Sequence, residues 1–247
     1  MGWTSTRALE IFDEFRGYRG SYQIASAYAL EALLGEIERG RPRRVLELGP
    51  GIGATTRALV SGLDRCLGSG MWEILAVEEN EFCRGELRTN LGADADRVQV
   101  VDDLADVPEG ARFDLVLIDG PGSLRGRTGW LSDRAVVFVE NLREPQRRDL
   151  DEILPAPWTS RSSWPVLTTE NLGGYHVYQL RPTAAERISF GLRGRGQQAA
   201  GTVRPWVRRG LTKARFTSAL DWFARRADRG RISEAEYRDA GVMHEGD

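Results

Sequence analysis

The spacing of apolar positions changes along the chain, and each change marks a different kind of element. In the first forty residues Tyr22, Ala25, Ala29, Leu30, Leu33, Leu34 and Ile37 recur at intervals of three and four. That pattern lays one apolar stripe along a helix of about five turns. Gly40, Arg41 and Pro42 end it, because glycine suits a C-terminal cap and proline cannot continue a helix.

From residue 45 the pattern becomes short unbroken runs of Val, Ile and Leu alternating with helical stretches. Residues 45–48, 73–77, 98–101, 113–118 and 135–139 predict five strands, with helices ending near Leu63 and spanning about 81–91 and 145–153. Strands that are apolar throughout are expected where helices cover both faces of a sheet. Their alternation with helices predicts an α/β fold, a doubly wound and mostly parallel sheet with right-handed crossovers. After Leu154 the chain is interrupted by Pro155, Pro157 and Pro165, and Gly173-Gly174 then precedes the run from Tyr175 to Leu180. That run predicts an antiparallel C-terminal hairpin finishing the sheet. Between Arg187 and Arg215 lie eight basic residues and no acidic one, among Phe190 and Trp206. Ser233-Glu234-Ala235-Glu236 resembles a capping box opening a last helix. The chain therefore divides into an N-terminal helical segment (1–40), an α/β domain (41–182) and a basic helical C-terminal extension (183–247).

Composition narrows the picture only a little. The formal net charge of −2 over 247 residues marks the chain as neither a general polyanion binder nor an acidic tail protein. Lys213 is the sole lysine. Arginine in its place fits bidentate anion recognition, and it fits plain compositional bias as well. Cys66 and Cys83 lack metal-ligand spacing and are expected as reduced thiols in a cytoplasmic protein. No basic-then-apolar leader opens the sequence, and no apolar run has the length of a bilayer span. The basic extension permits a nucleic-acid or membrane surface, but no RNA-binding motif accompanies it. A lid or a homodimer contact suits it better than a nucleic acid.

The densest chemical signal is the stretch from Val45 to Ala54. An apolar strand carries Glu47, turns through Gly49, Gly51 and Gly53, and enters a helix. Alternating glycines let a ligand approach the main chain where side chains would forbid it. Gly49-x-Gly51-x-x-Ala54 also fits the looser dinucleotide fingerprint. Glu47 argues against that reading, since an anionic side chain repels a pyrophosphate and pairs readily with an amino group.

Glu47-x-Gly49-x-Gly51-x-Gly53 resembles the first motif of class I S-adenosylmethionine-dependent methyltransferases, and the likeness covers roughly residues 40–182. It implies S-adenosylmethionine as cofactor, with Glu47 near its amino group and Gly49, Gly51 and Gly53 shaping the pocket. It implies Glu78 on the ribose hydroxyls, with Glu79 the neighbouring alternative. Asp102 or Asp103 would lie near adenine, and Asp119, after the fourth strand, would face both cofactor and substrate. Ile118-Asp119-Gly120-Pro121 and Glu140-Asn141-x-Arg143 look most similar to a small-molecule O-methyltransferase subgroup. By that resemblance Asp119, Glu140 and Asn141 supply three hard oxygens for Mg²⁺; alternatively Asp119 contacts the ligands directly and Glu140-Asn141 caps the next helix. Candidate catalytic groups are Asp119, His176 as a base and Arg143 as a clamp on an anionic substrate group. Trp130-Leu131-Ser132-Asp133-Arg134 departs from the Pro-Gly-Gly turn that many members carry before strand five. Two other readings stay open: an NAD(P)-dependent oxidoreductase, and a catalytically silent partner protein that keeps the fold.

Overall fold

Runs of four to six Val, Ile and Leu residues are too short to hold a helix, and in the folded chain they lie side by side. The computed structural model describes residues 2–141, 144–154, 159–163 and 174–179. Its strands are β1 (Arg44–Leu48), β2 (Glu73–Val77), β3 (Gln99–Val101), β4 (Phe113–Ile118), β5 (Leu131–Glu140), β6 (Thr159–Ser163) and β7 (Tyr175–Gln179). Its helices are α1 (Trp3–Phe15), α2 (Ala27–Gly40), α3 (Ala54–Leu67), α4 (Glu81–Leu91) and α5 (Glu144–Ile153). The strands form one sheet in the order β3-β2-β1-β4-β5-β7-β6. β1 to β5 pair in parallel, and β7 runs antiparallel to both β5 and β6. The expected doubly wound sheet and antiparallel C-terminal pair are both present.

Strand alternation sorts the core into two layers. Val45, Leu115, Leu117 and Phe138 face a cluster that includes Leu30, Leu34 and Ile37 of α2 and Leu59 and Leu63 of α3. Leu46, Leu48, Val116, Ile118 and Val137 face the other side, with Leu150 of α5. Each fully buried Leu, Ile or Phe of these layers contributes about 1.5–3 kcal/mol relative to exposure. The layers hold β1 and β4 rigidly in register, Leu48 opposite Ile118.

The N-terminal segment differs from the reading of one helix through Tyr22 and Ala25. α1 ends at Phe15, a short 3-10 turn spans Ser21–Gln23, and α2 starts only at Ala27. Gly17 and Gly20 break the helix, Gly20 taking a left-handed φ of 83°. The Ser26 hydroxyl accepts a hydrogen bond from the Ala29 N–H and so caps α2. Tyr22, assigned to the apolar stripe by spacing, is 54% exposed. β5 also begins earlier than expected. Residues 131–134 join the strand through an irregularity opposite Phe113–Leu115, where the Ser132 hydroxyl donates to Asp114 Oδ1 at 3.0 Å.

β1 and β4 are sequence-distant neighbours, and the chain leaves them in opposite directions around the sheet. This switch point opens a crevice at the carboxyl ends of the strands. The two departing loops cross almost in contact, and a Cβ built on Gly49 would lie 2.5 Å from Gly120 Cα. Gly49 also has φ +78°. Gly49→Ala is therefore expected to lower the unfolding free energy by about 2–4 kcal/mol, from backbone overlap plus left-handed strain. Urea denaturation of the variant measures this, and an unchanged midpoint would show that the crossing is not tight.

Candidate functional site

The crevice holds a cavity of about 380 Å³, within the usual range for a small-molecule site. Its floor is the glycine turn between β1 and α3. The three glycines of that turn do different things. Gly49 admits the crossing with Gly120. Gly53 is the left-handed N-cap of α3, where a Cβ would touch Leu87 of α4 at 3.4 Å, and it does not line the cavity. Gly51 alone opens outward: a Cβ there would meet nothing within 4 Å. The turn is pinned from behind, since Asn90 Nδ2 donates to Ile52 O and Arg57 spans from α3 to Asp94 and to Asn90 O.

Three carboxylates gather around this turn. Glu47 is fully buried beneath it, on the β1 face that α3 covers, and does not itself line the cavity. Its Oε2 accepts from the Thr56 hydroxyl at 2.8 Å. Its Oε1 and the nearby Thr55 hydroxyl are buried with no hydrogen-bond partner among the described residues. Burial pushes the Glu47 carboxyl up to about 7; the threonine hydroxyls beside it hold it down, and the charges of Asp119 and Glu78 add to the rise. Glu78 follows β2 and lines the cavity. Its oxygens accept from the Gly51 N–H at 2.9 Å and the Asn80 N–H at 3.0 Å. Burial raises its carboxyl too, against those two N–H groups and Arg84, with Asp119 adding to the rise. Asp119, just past β4, lines the opposite wall, and its N–H donates to Leu48 O at 2.8 Å. Confining like charges in this way is costly without a cation between them.

Glu79 lines the cavity beside Glu78, and the remaining expected residues among those described do not. Asp103 caps a 3-10 turn by accepting from the Ala105 N–H at 2.7 Å. Asp102 is exposed, 4.0 Å from Arg84. Leu104 lines the wall on that side instead. His176 is buried in β7, opposite Val139 of β5 and Ser162 of β6. Glu140 is the buried last residue of β5, and Asn141 follows with a left-handed φ of 59°. Arg143 lies outside the described residues, as does the whole extension from 183. Among the described residues no group of three or more His, Cys, Asp or Glu is placed to hold a metal, and no helix is long and apolar enough to cross a membrane.

Sequence reasoning missed the front wall. Gly20, Gln23, Ile24 and Ala25 line the cavity, because Gly20 is wedged against Ile52 and Phe82, each 2.9 Å from a Cβ built there. The glycines at 17 and 20 ahead of the Ser26 cap were the available signal. Gln146 of α5 was missed as well; it lines the cavity and donates through Nε2 to Gly120 O at 3.2 Å.

No protein-family model matches the sequence, and no curated protein matches it. Solved structures do match. The O-methyltransferase TomG of Streptomyces achromogenes, solved with S-adenosylmethionine, superposes with a TM-score of 0.54 at 19% identity over 74% of this chain and 91% of its own. An O-methyltransferase of Bacillus cereus, solved with S-adenosylhomocysteine, gives a TM-score of 0.54 at 18% identity over 73% and 92%. At such identities the likeness is one of architecture: this chain has the Rossmann-like fold of class I methyltransferases.

Two outcomes follow from the site. Gly51→Ala should stay folded, at about 1–2 kcal/mol of left-handed strain, yet lose affinity for any ligand seated on the turn. Calorimetry on the folded variant checks this, and full affinity would move the ligand off Gly51. Glu47 is protonated more readily folded than unfolded, so between pH 4.5 and about 7 the folded state binds more protons and its stability falls as pH rises. Glu47→Gln should flatten that part of the curve of melting temperature against pH in ligand-free protein. Parallel curves for the two proteins would place the Glu47 carboxyl near its ordinary value.

Proposed function

We propose that this chain is an S-adenosylmethionine-dependent methyltransferase that methylates a small molecule at oxygen. The observation that carries the reading is the convergence of Glu47, Glu78 and Asp119 on a glycine turn whose one open position, Gly51, faces the cavity. An open backbone cradle ringed by carboxylates fits a cationic ligand. It fits a dinucleotide pyrophosphate poorly, because like charges at this spacing repel.

In this reading Glu78 accepts from the ribose hydroxyls, a carboxylate having lone pairs to spare beyond its two backbone bonds. Glu47, with Oε1 unspent, would pair from beneath with the cofactor's ammonium group. The bound cofactor supplies a methyl group on a positively charged sulfur. The chain's own task is positioning: the glycine turn, the β4–β5 loop and the 20–25 segment enclose the acceptor and hold its hydroxyl in line. Asp119 lines the wall across the glycine turn from Glu78 and would take the acceptor hydroxyl's proton as the methyl group leaves sulfur for that oxygen. His176, buried in the sheet, is left without a step.

A magnesium reading draws on one further observation. β4 and β5 pair Ile118 with Val139, so Asp119 and Glu140 leave neighbouring strands together, with Asn141 next. Those oxygens suit a hard cation, which would orient the acceptor. Full methyl transfer in excess EDTA would remove magnesium from the mechanism.

Calorimetric titration with S-adenosylhomocysteine, NAD and NADP tests the main reading. Micromolar binding of the first alone is expected, and Glu78→Ala should weaken it by about 1–3 kcal/mol through lost charged hydrogen bonds. Binding of a nicotinamide nucleotide instead would transfer the chain to the oxidoreductases. Cofactor binding with no methyl transfer to any acceptor would favour the silent partner protein.

A further inference from the structure

The walls of the cavity carry a charge pattern that bears on the acceptor as well as the cofactor. Among the described residues lining it, the acidic side chains are Glu78, Glu79 and Asp119, and no Lys, Arg or His is among them. Two guanidiniums of the surrounding loops are committed elsewhere. Arg84 donates to the carbonyls of Glu78 and Glu79 at 2.7 Å each. Arg125, on the β4–β5 loop, is held by Asp149 and Glu152 at 2.7 Å each. Glu47, beneath the floor with a buried unpartnered oxygen, places a further carboxyl below them and no cation. The neutral polar side chains on the walls are Thr55, Asn80 and two glutamine amides, Gln23 from the N-terminal segment and Gln146 from α5.

We infer that the acceptor enters this cavity without negative charge, as an uncharged or amine-bearing hydroxyl compound rather than a carboxylate or a phosphate ester. The inference rests on the methyltransferase reading and adds the class of acceptor to it. A cofactor bearing one net positive charge does not neutralise the carboxylates around it, so a second anion meets repulsion in a partly desolvated site. A neutral hydroxyl compound meets the two glutamine amides, which donate and accept without charge. A protonated amine is attracted by the surplus carboxylate.

The test uses the full chain loaded with S-adenosylhomocysteine and three ring-matched probes that differ in charge: dopamine, catechol and 3,4-dihydroxybenzoate. Binding is measured by calorimetry and saturation-transfer NMR at low and high salt. Dopamine and catechol should bind at least about fivefold more tightly than the benzoate, as expected for one unfavourable charge contact, and salt should narrow the gap between dopamine and the benzoate. Gln146→Lys, which places a cation on the wall, should bring the benzoate level with catechol. Equal or tighter binding of the benzoate by the unaltered chain overturns the inference, and its loss in Arg143→Ala would identify the group responsible. Failure of both dopamine and catechol to bind the loaded protein overturns it too. Failure of S-adenosylhomocysteine itself to bind is a separate result, registered before any probe is added, and it removes the methyltransferase reading with the inference.

Discussion

The near-contact of Gly49 with Gly120 is the constraint from which the site follows. The loops that leave β1 and β4 in opposite directions pass so closely here that side chains at either glycine would hold them apart. Once they pass, hydrogen bonds lock the crossing: the Gly49 N–H donates to Val77 O and the Asp119 N–H to Leu48 O. The strand ends of β1, β2 and β4 are thereby tied at one level. Glu47, Glu78 and Asp119 each sit within two residues of that tie, so their convergence is a product of the backbone and not of side-chain preference. The field they create is fixed before any ligand arrives, which is the arrangement that favours a cation most, because nothing need reorganise on binding.

Most of this architecture was legible in the residues. Unbroken Val, Ile and Leu runs identify buried parallel strands, and the alternation of the first five with helices fixes the winding. Alternation within β1 even places Glu47 on the face α3 covers, in line with Val45. Other features depend on information that spacing does not contain. Tyr22 and Ala25 fit a helical stripe as well as Leu30 does, and only the backbone freedom of Gly17 and Gly20 separates the segment from α2. An acid after a strand can cap a turn or face a ligand with the same local sequence. Asp103 caps and Glu78 faces the cavity, and the difference lies in where each loop is carried by its neighbours.

The N-terminal segment gives the cavity a wall that does not belong to the sheet. It is held by Gly20 against Ile52 and Phe82, with Arg19 stacked over the Phe82 ring at 4.8 Å. Such a wall is fastened by a few side chains and by no strand pairing, so its local stability is set separately from that of the core. Support by the sheet where the carboxylates sit and attachment by side chains at the front wall are thus assigned to different parts of the chain.

The position of β7 has a consequence for how the sheet is completed. β6 precedes β7 in the chain but lies beyond it in the sheet and pairs with it. Until residues 175–179 exist, β5 presents an open row of backbone donors and acceptors, and β6 has no strand to lie against. During synthesis the far third of the sheet therefore waits for its last strand, which then satisfies two edges at once. A chain interrupted between β6 and β7 would retain the glycine turn and its acids yet carry an exposed apolar edge, the kind that pairs with other chains.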